Sequence, residues 1–233
     1  MDITKKRVRK ILGSKVSQLN DIVADLDQLL TRLDTDYYRV CIFGSARIKP
    51  DSEPYQDAYK LAIELSRRGV DIVTGGGPGL MEAANKAAQD AGAEGRSIGL
   101  PIELPFESDA NSHLDVKFHH KRFSSRLEEF MRLSHAVIVT PGGIGTILEL
   151  FYAWQLIQVD HIAQRPIILM GDMWDDLLEY MKKVPLKNKL MSPEDFDCIK
   201  ICKTVEDVIA LIEPELEEFR KENKGKGAKA PLK

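Results

Sequence analysis

Apolar residues in this chain follow two rhythms. From about Lys5 to Leu33, Val8, Ile11, Leu12, Val16, Leu19, Ile22, Val23, Leu26, Leu29 and Leu30 recur mostly three and four apart. That spacing makes one apolar helix face, with a break expected near Gly13. After residue 36 short apolar runs alternate with helical periods. Strands are expected at Tyr38–Phe43, Val70–Val73, Arg96–Leu100, Val116–Phe118, Ala136–Val139, Pro166–Met170 and Ile199–Ile201. Helices are expected at about Glu53–Arg68, Leu80–Ala91, Arg122–Leu133, Ile144–Val159, Trp174–Lys183 and Val205–Phe219. Strand–helix alternation implies parallel strands joined by right-handed crossovers, so an α/β, doubly wound, mostly parallel sheet with helices on both faces. The strand runs lack a polar face, as expected when both sides of a sheet are covered. Three segments result: a helical extension over residues 1–36, one α/β domain over 37–219, and a basic, disordered tail over 220–233. The least regular stretch inside the domain is PIELPFESDANSH, Pro101 to His113, expected to be a loop over a site.

Composition narrows the function classes. With 33 Lys and Arg against 36 Asp and Glu, the net charge is -3, which argues against nucleic acid as the main partner. No apolar run approaches the ~18 residues of a membrane span, and the basic start lacks the long apolar core of a secretory signal. Cys41, Cys198 and Cys202 make no disulfide framework and lie near no His or Cys cluster. No metal site and a reducing, cytoplasmic compartment are therefore expected.

Candidate chemistry sits at three strand ends, where open α/β sheets bind ligands. These are Gly44-Ser45-Ala46-Arg47, Gly75-Gly76-Gly77-Pro78-Gly79, and Pro141-Gly142-Gly143-Ile144-Gly145-Thr146. Glycine lets a ligand approach the main chain, and the helix that follows aims free N–H groups and its positive end at the same place. A phosphate is the natural guest. Neither G-x-G-x-x-G nor G-x-x-x-x-G-K-[ST] is present, which weakens a dehydrogenase or ATPase reading. Glu149 falls about one turn into the last helix, its side chain leaning back toward the glycines. Glu82 stands similarly after Gly79, where a first-turn acid also simply suits the helix dipole. Arg122, Arg126 and Glu129 share a face of the preceding helix; Arg126 can grip a phosphate or carboxylate, or pair along the helix with Glu129.

The motifs GGGPGLMEA (75–83) and PGGIGTILE (141–149) resemble those of the LOG, or "lonely guy", family of nucleoside 5′-monophosphate phosphoribohydrolases, often labelled lysine decarboxylase-like. The similarity covers about Tyr38 to Phe219. The resemblance implies a Rossmann-like fold, a homodimer or higher homo-oligomer, no cofactor, and hydrolysis of the N-glycosidic bond of a nucleotide to free base and ribose 5-phosphate. It carries the family's functional glutamate to Glu149 and its arginine to Arg126, with Leu127 where the family has lysine. It assigns Gly44, Ser45, Gly75, Gly76, Gly77, Gly79, Glu82 and the Pro141–Thr146 segment to nucleotide binding; our own expectation for the base is a place under the loop from Pro101 to His113. Glu82, where plant-type members commonly have glycine, looks more like bacterial purine/pyrimidine nucleotide nucleosidases. Two other readings stand beside it: a nucleotide or cofactor carrier of the same fold, and a pyridoxal-phosphate decarboxylase, for which Lys86 is the nearest lysine.

Overall fold

The computed structural model describes residues 12–16, 18–19, 37–92, 95–103 and 110–223. The chain divides into two compact units, Met1–Thr35 and Asp36–Lys233. In the first, residues 12–16 and 18–19 are helical. Gly13 is itself helical, so no break falls within residues 12–16; the rest of the helix expected over residues 5–33 lies outside the described residues.

The second unit begins with β1 (Arg39–Phe43), α1 (Glu53–Arg67), β2 (Asp71–Thr74), α2 (Leu80–Asp90), β3 (Ser97–Gly99) and β4 (Val116–Lys117). It continues with α3 (Phe123–Leu133), β5 (Ala136–Val139), α4 (Ile144–Gln158), β6 (Ile167–Met170), α5 (Met173–Met181), β7 (Ile199–Cys202) and α6 (Val205–Asn223). A π-helical turn, Lys182–Leu186, follows α5. Helix α6 runs through Asn223 despite Pro214, four residues into the stretch expected to be a tail. Its Lys- and Glu-rich end continues a good helix-forming sequence. Residues 224–233 lie outside the described residues, as do 104–109 of the expected loop.

The sheet has seven strands in the order β4-β3-β2-β1-β5-β6-β7, and every pairing is parallel. The side-chain alternation of the strands explains why both faces are covered. Val40, Ile42, Ile72, Ala136, Ile138 and Ile168 pack with Leu61 and Leu65 of α1, Ala84 and Ala87 of α2, and Val208 and Ile212 of α6. The intervening residues point the other way, where Phe43 meets Phe130 of α3 edge-on, with ring centroids 5.0 Å apart. Helix α4 packs beside α3 on that face.

The chain leaves β1 toward β2 on one side and returns as β5 on the other. This is a topological switch, where a crevice opens above the strand ends. Register sets its floor. Phe43 pairs with Val139, and Thr74 with Gly99, so the glycine segments after β1, β2 and β5 emerge at one edge.

Candidate active site

The three loops are joined by one residue's main chain. The Ser45 N–H donates to Pro141 O at 3.1 Å, and Ser45 O accepts from the Leu80 N–H at 3.0 Å. The Ser45 hydroxyl is occupied within its own loop, accepting from the Arg47 N–H at 3.1 Å. Gly79 has φ of +69°, and a Cβ there would stand 2.4 Å from Ser45 O. Only glycine permits this contact. Gly44, Gly75, Gly77 and Pro141–Thr146 are thus brought to one crevice.

The second and third loops differ in what their main chain has left to offer. In the second, the Gly76 N–H donates to Thr74 Oγ1 at 2.9 Å. Gly76 O accepts from the Asn111 N–H at 2.8 Å, and Gly77 O from Asn111 Nδ2 at 2.9 Å. A buried polar network supports this loop. Thr74 Oγ1 donates to Asn85 Oδ1 at 2.6 Å, Asn85 Nδ2 donates to Ser97 Oγ at 2.9 Å, and Asn111 Nδ2 reaches Asn85 Oδ1 at 3.0 Å. Sequence reasoning missed Asn85 and Asn111. The Gly76 N–H is thus engaged by protein, and what this glycine offers a ligand is close approach to the main chain. In the third loop, Gly143, Ile144 and Gly145 are exposed, and no side chain caps α4 at Gly143. The first-turn N–H groups of α4 have no carbonyl partner within the helix, and the dipole adds positive potential there. The Gly142 N–H donates to the Met173 sulfur at 3.4 Å, a weak acceptor that a phosphate oxygen outcompetes. Thr146 is buried at the base of this turn.

Arg126 and Glu149 meet below that turn. Arg126 Nε donates to Leu100 O at 2.7 Å, just past β3, and Nη2 reaches Gly75 O at 3.4 Å, just past β2. A Cβ on Gly75 would lie 2.2 Å from Nη2, so Gly75 makes room for the guanidinium. Nη1 stands 3.6 Å from Glu149 Oε1, with the two side chains 11% and 14% exposed. The Phe130 ring lies beneath, 5.1 Å from the guanidinium carbon. Burial pushes the Glu149 carboxyl up to about 7, against the opposing pull of Arg126. At 3.6 Å the pair lies beyond hydrogen-bond length, which is why desolvation prevails over the ion pair. A carboxyl titrating near neutrality can both give and take a proton at working pH.

Glu82 stands in the first turn of α2, directly after the glycine loop. Glu82 is half-buried, and its charge helps raise the Tyr55 phenol of α1. Glu129 is buried and pairs with Arg132 at 3.5 Å. Leu127 is buried in the core. Lys86 is exposed on α2. His120 is buried, its ring pushed down to about 4 by burial and by the Arg126 charge. Among the described residues no cluster of three or more His, Cys, Asp or Glu could hold a metal ion, and no helix is long and apolar enough to cross a membrane.

A profile of the family described as "Possible lysine decarboxylase" matches residues 81–212. A probable cytokinin riboside 5′-monophosphate phosphoribohydrolase of Oryza sativa subsp. japonica, LOGL5, is 31% identical over 190 residues, 76% of this chain and 72% of that protein. The chain belongs to the LOG family. LOG3 of Arabidopsis thaliana, a cytokinin riboside 5′-monophosphate phosphoribohydrolase, is 30% identical over 76% of this chain and 82% of its own. The pyrimidine/purine nucleotide 5′-monophosphate nucleosidase of Escherichia coli K12 is 35% identical over half of this chain, but only 28% of its own length is matched. Among solved structures, the molybdenum cofactor binding protein of Rippkaea orientalis aligns with a TM-score of 0.59 at 23% identity, over 78% of this chain and 99% of that one. At that identity it speaks to the Rossmann-like fold alone. Segments 75–83 and 141–149 follow β2 and β5 at the same edge of the sheet.

Proposed function

We propose that this LOG-family protein hydrolyses the N-glycosidic bond of a nucleoside 5′-monophosphate such as AMP, yielding free base and ribose 5-phosphate. The phosphate sits on the N-terminal turn of α4, on the N–H groups of Gly143, Ile144, Gly145 and Thr146. The ribose lies below, against Glu149 and Arg126. As the C1′–N bond breaks, the base leaves with the electron pair and takes up a proton from solvent, while positive charge develops on the sugar. The Glu149 carboxylate stabilises that charge and accepts a proton from the water whose oxygen bonds to C1′. Arg126 positions the carboxylate and a ribose oxygen. The nearly buried Glu149 carboxyl, held against Arg126 one turn below an uncapped helix start, carries this reading; the activities named for the Oryza and Arabidopsis relatives agree with it. Changing Glu149 to Gln should lower adenine release from AMP by about 100-fold or more. Unchanged turnover in a folded variant would remove Glu149 from the chemistry.

Helix α4 also supports a homodimer. Ile144, Leu148 and Val159 are 84%, 47% and 55% exposed and lie along one side of the helix, an apolar stripe suited to a second copy. The free thiols of Cys41, Cys198 and Cys202 suit a reducing, cytoplasmic setting.

A further inference from the structure

Phe123, the first residue of α3, breaks the rule its helix otherwise follows. The buried residues of α3 are Leu127, Glu129, Phe130, Met131 and Leu133. On a helical projection Phe123 falls at the centre of that buried arc, in line with Leu127 and Phe130 at i+4 and i+7. Yet it is 51% exposed. Topology explains the exception. Helix α3 leads into β5, so it starts above the carboxyl ends of the parallel strands and descends. One turn down, Arg126 already touches Leu100 O and Gly75 O at the strand ends. Three residues earlier, about 4.5 Å higher along the axis, the same inward face has no sheet left to pack on. Phe123 therefore stands over the crevice, with Arg126 and Glu149 below it.

The uncapped start of α4 opens on the same edge, beside α3. A molecule anchored by a phosphate on α4, with its sugar above the Arg126–Glu149 pair, extends toward the top of α3. We infer that Phe123 is the platform on which the nucleotide base stacks, an inference that rests on the hydrolase reading above. A ring face accepts any base, and more strongly a purine with its larger area. It presents no hydrogen bonds, so it sets affinity and purine preference without taking part in bond cleavage.

The full-length protein is assayed with AMP and UMP, with ribose 5-phosphate as a competing product that lacks a base. Phe123→Ala should raise KM for AMP by about tenfold, leave kcat within about twofold, and narrow the preference for AMP over UMP. Inhibition by ribose 5-phosphate should stay unchanged, and Phe123→Tyr should restore the KM for AMP. An unaltered KM for AMP, or equal weakening of AMP and ribose 5-phosphate, would overturn the platform. Wild-type protein that releases no base from any monophosphate would overturn the parent reading and the platform with it. Wild-type turnover with an indifferent Phe123→Ala would sink the platform alone.

Discussion

The loops after β2 and β5 carry the same glycine signature and use it in opposite ways. In Gly75–Gly79 the main chain is engaged by protein at Gly76, bonded to Thr74 and Asn111, at Gly77 O, bonded to Asn111, and at Gly75 O, facing Arg126. Its glycines are there so that protein can approach protein. In Pro141–Thr146 the exposed residues Gly143 to Gly145 leave amides facing solvent, so that a ligand can approach protein. One loop holds the arginine, and the other is where we propose that the anion binds. A glycine-rich turn reports close approach, and only its hydrogen-bond accounting tells what approaches.

Three experiments test this division. The largest effect should come from the carboxylate where the two halves meet. The Glu149 carboxyl titrates at about 7 in the folded state against 4.5 as its ordinary value. Its contribution to stability is therefore fully present below pH 4.5 and lost as pH rises through 7. Glu149→Gln, neutral throughout, should match wild type near pH 4.5 and exceed it by about 3 kcal/mol above pH 8, as read from urea denaturation across pH. A difference that stays flat with pH would show that the carboxylate is solvated. Next comes the arm that holds arginine. Gly75→Ala places a methyl 2.2 Å from Arg126 Nη2 and should displace the guanidinium, costing about 100-fold in kcat/KM while the protein stays folded. Full activity would mean that Arg126 is not fixed by this loop. The smallest effect belongs to the arm that awaits the ligand. At Gly143 no atom lies within 4 Å of an added Cβ, so Gly143→Ala should leave Tm within about 1 °C. It should still raise KM for AMP several-fold by crowding the phosphate. A fall in Tm with KM intact would reverse the roles of the two loops.

Much of this was legible in the sequence. The strand–helix rhythm yields the doubly wound sheet because β1, β2, β3, β5 and β6 are buried throughout and the first two helices are closed by Gly69 and Gly92, both at positive φ. The Arg126–Glu149 meeting was legible only as two separate candidates. Arg126 had a nearer acid, Glu129, on its own helix, but Glu129 pairs with Arg132 while the guanidinium spans two strand ends. The Asn85–Asn111 network was not legible, because its partners are 11 to 26 residues apart and a mid-helix asparagine carries no periodic signal. Nor did any side chain announce the role of Ser45, which is exerted through its peptide groups.

That role limits how the protein can vary. Because the Ser45 peptide groups clasp both Pro141 and Leu80, the three segments behave as a keyed joint whose spacings are locked together. Single-residue insertions or deletions anywhere in 44–46, 75–80 or 140–146 should abolish the joint even where individual substitutions are absorbed. Variation at this rim should therefore be tolerated only as exchange of side chains at constant length.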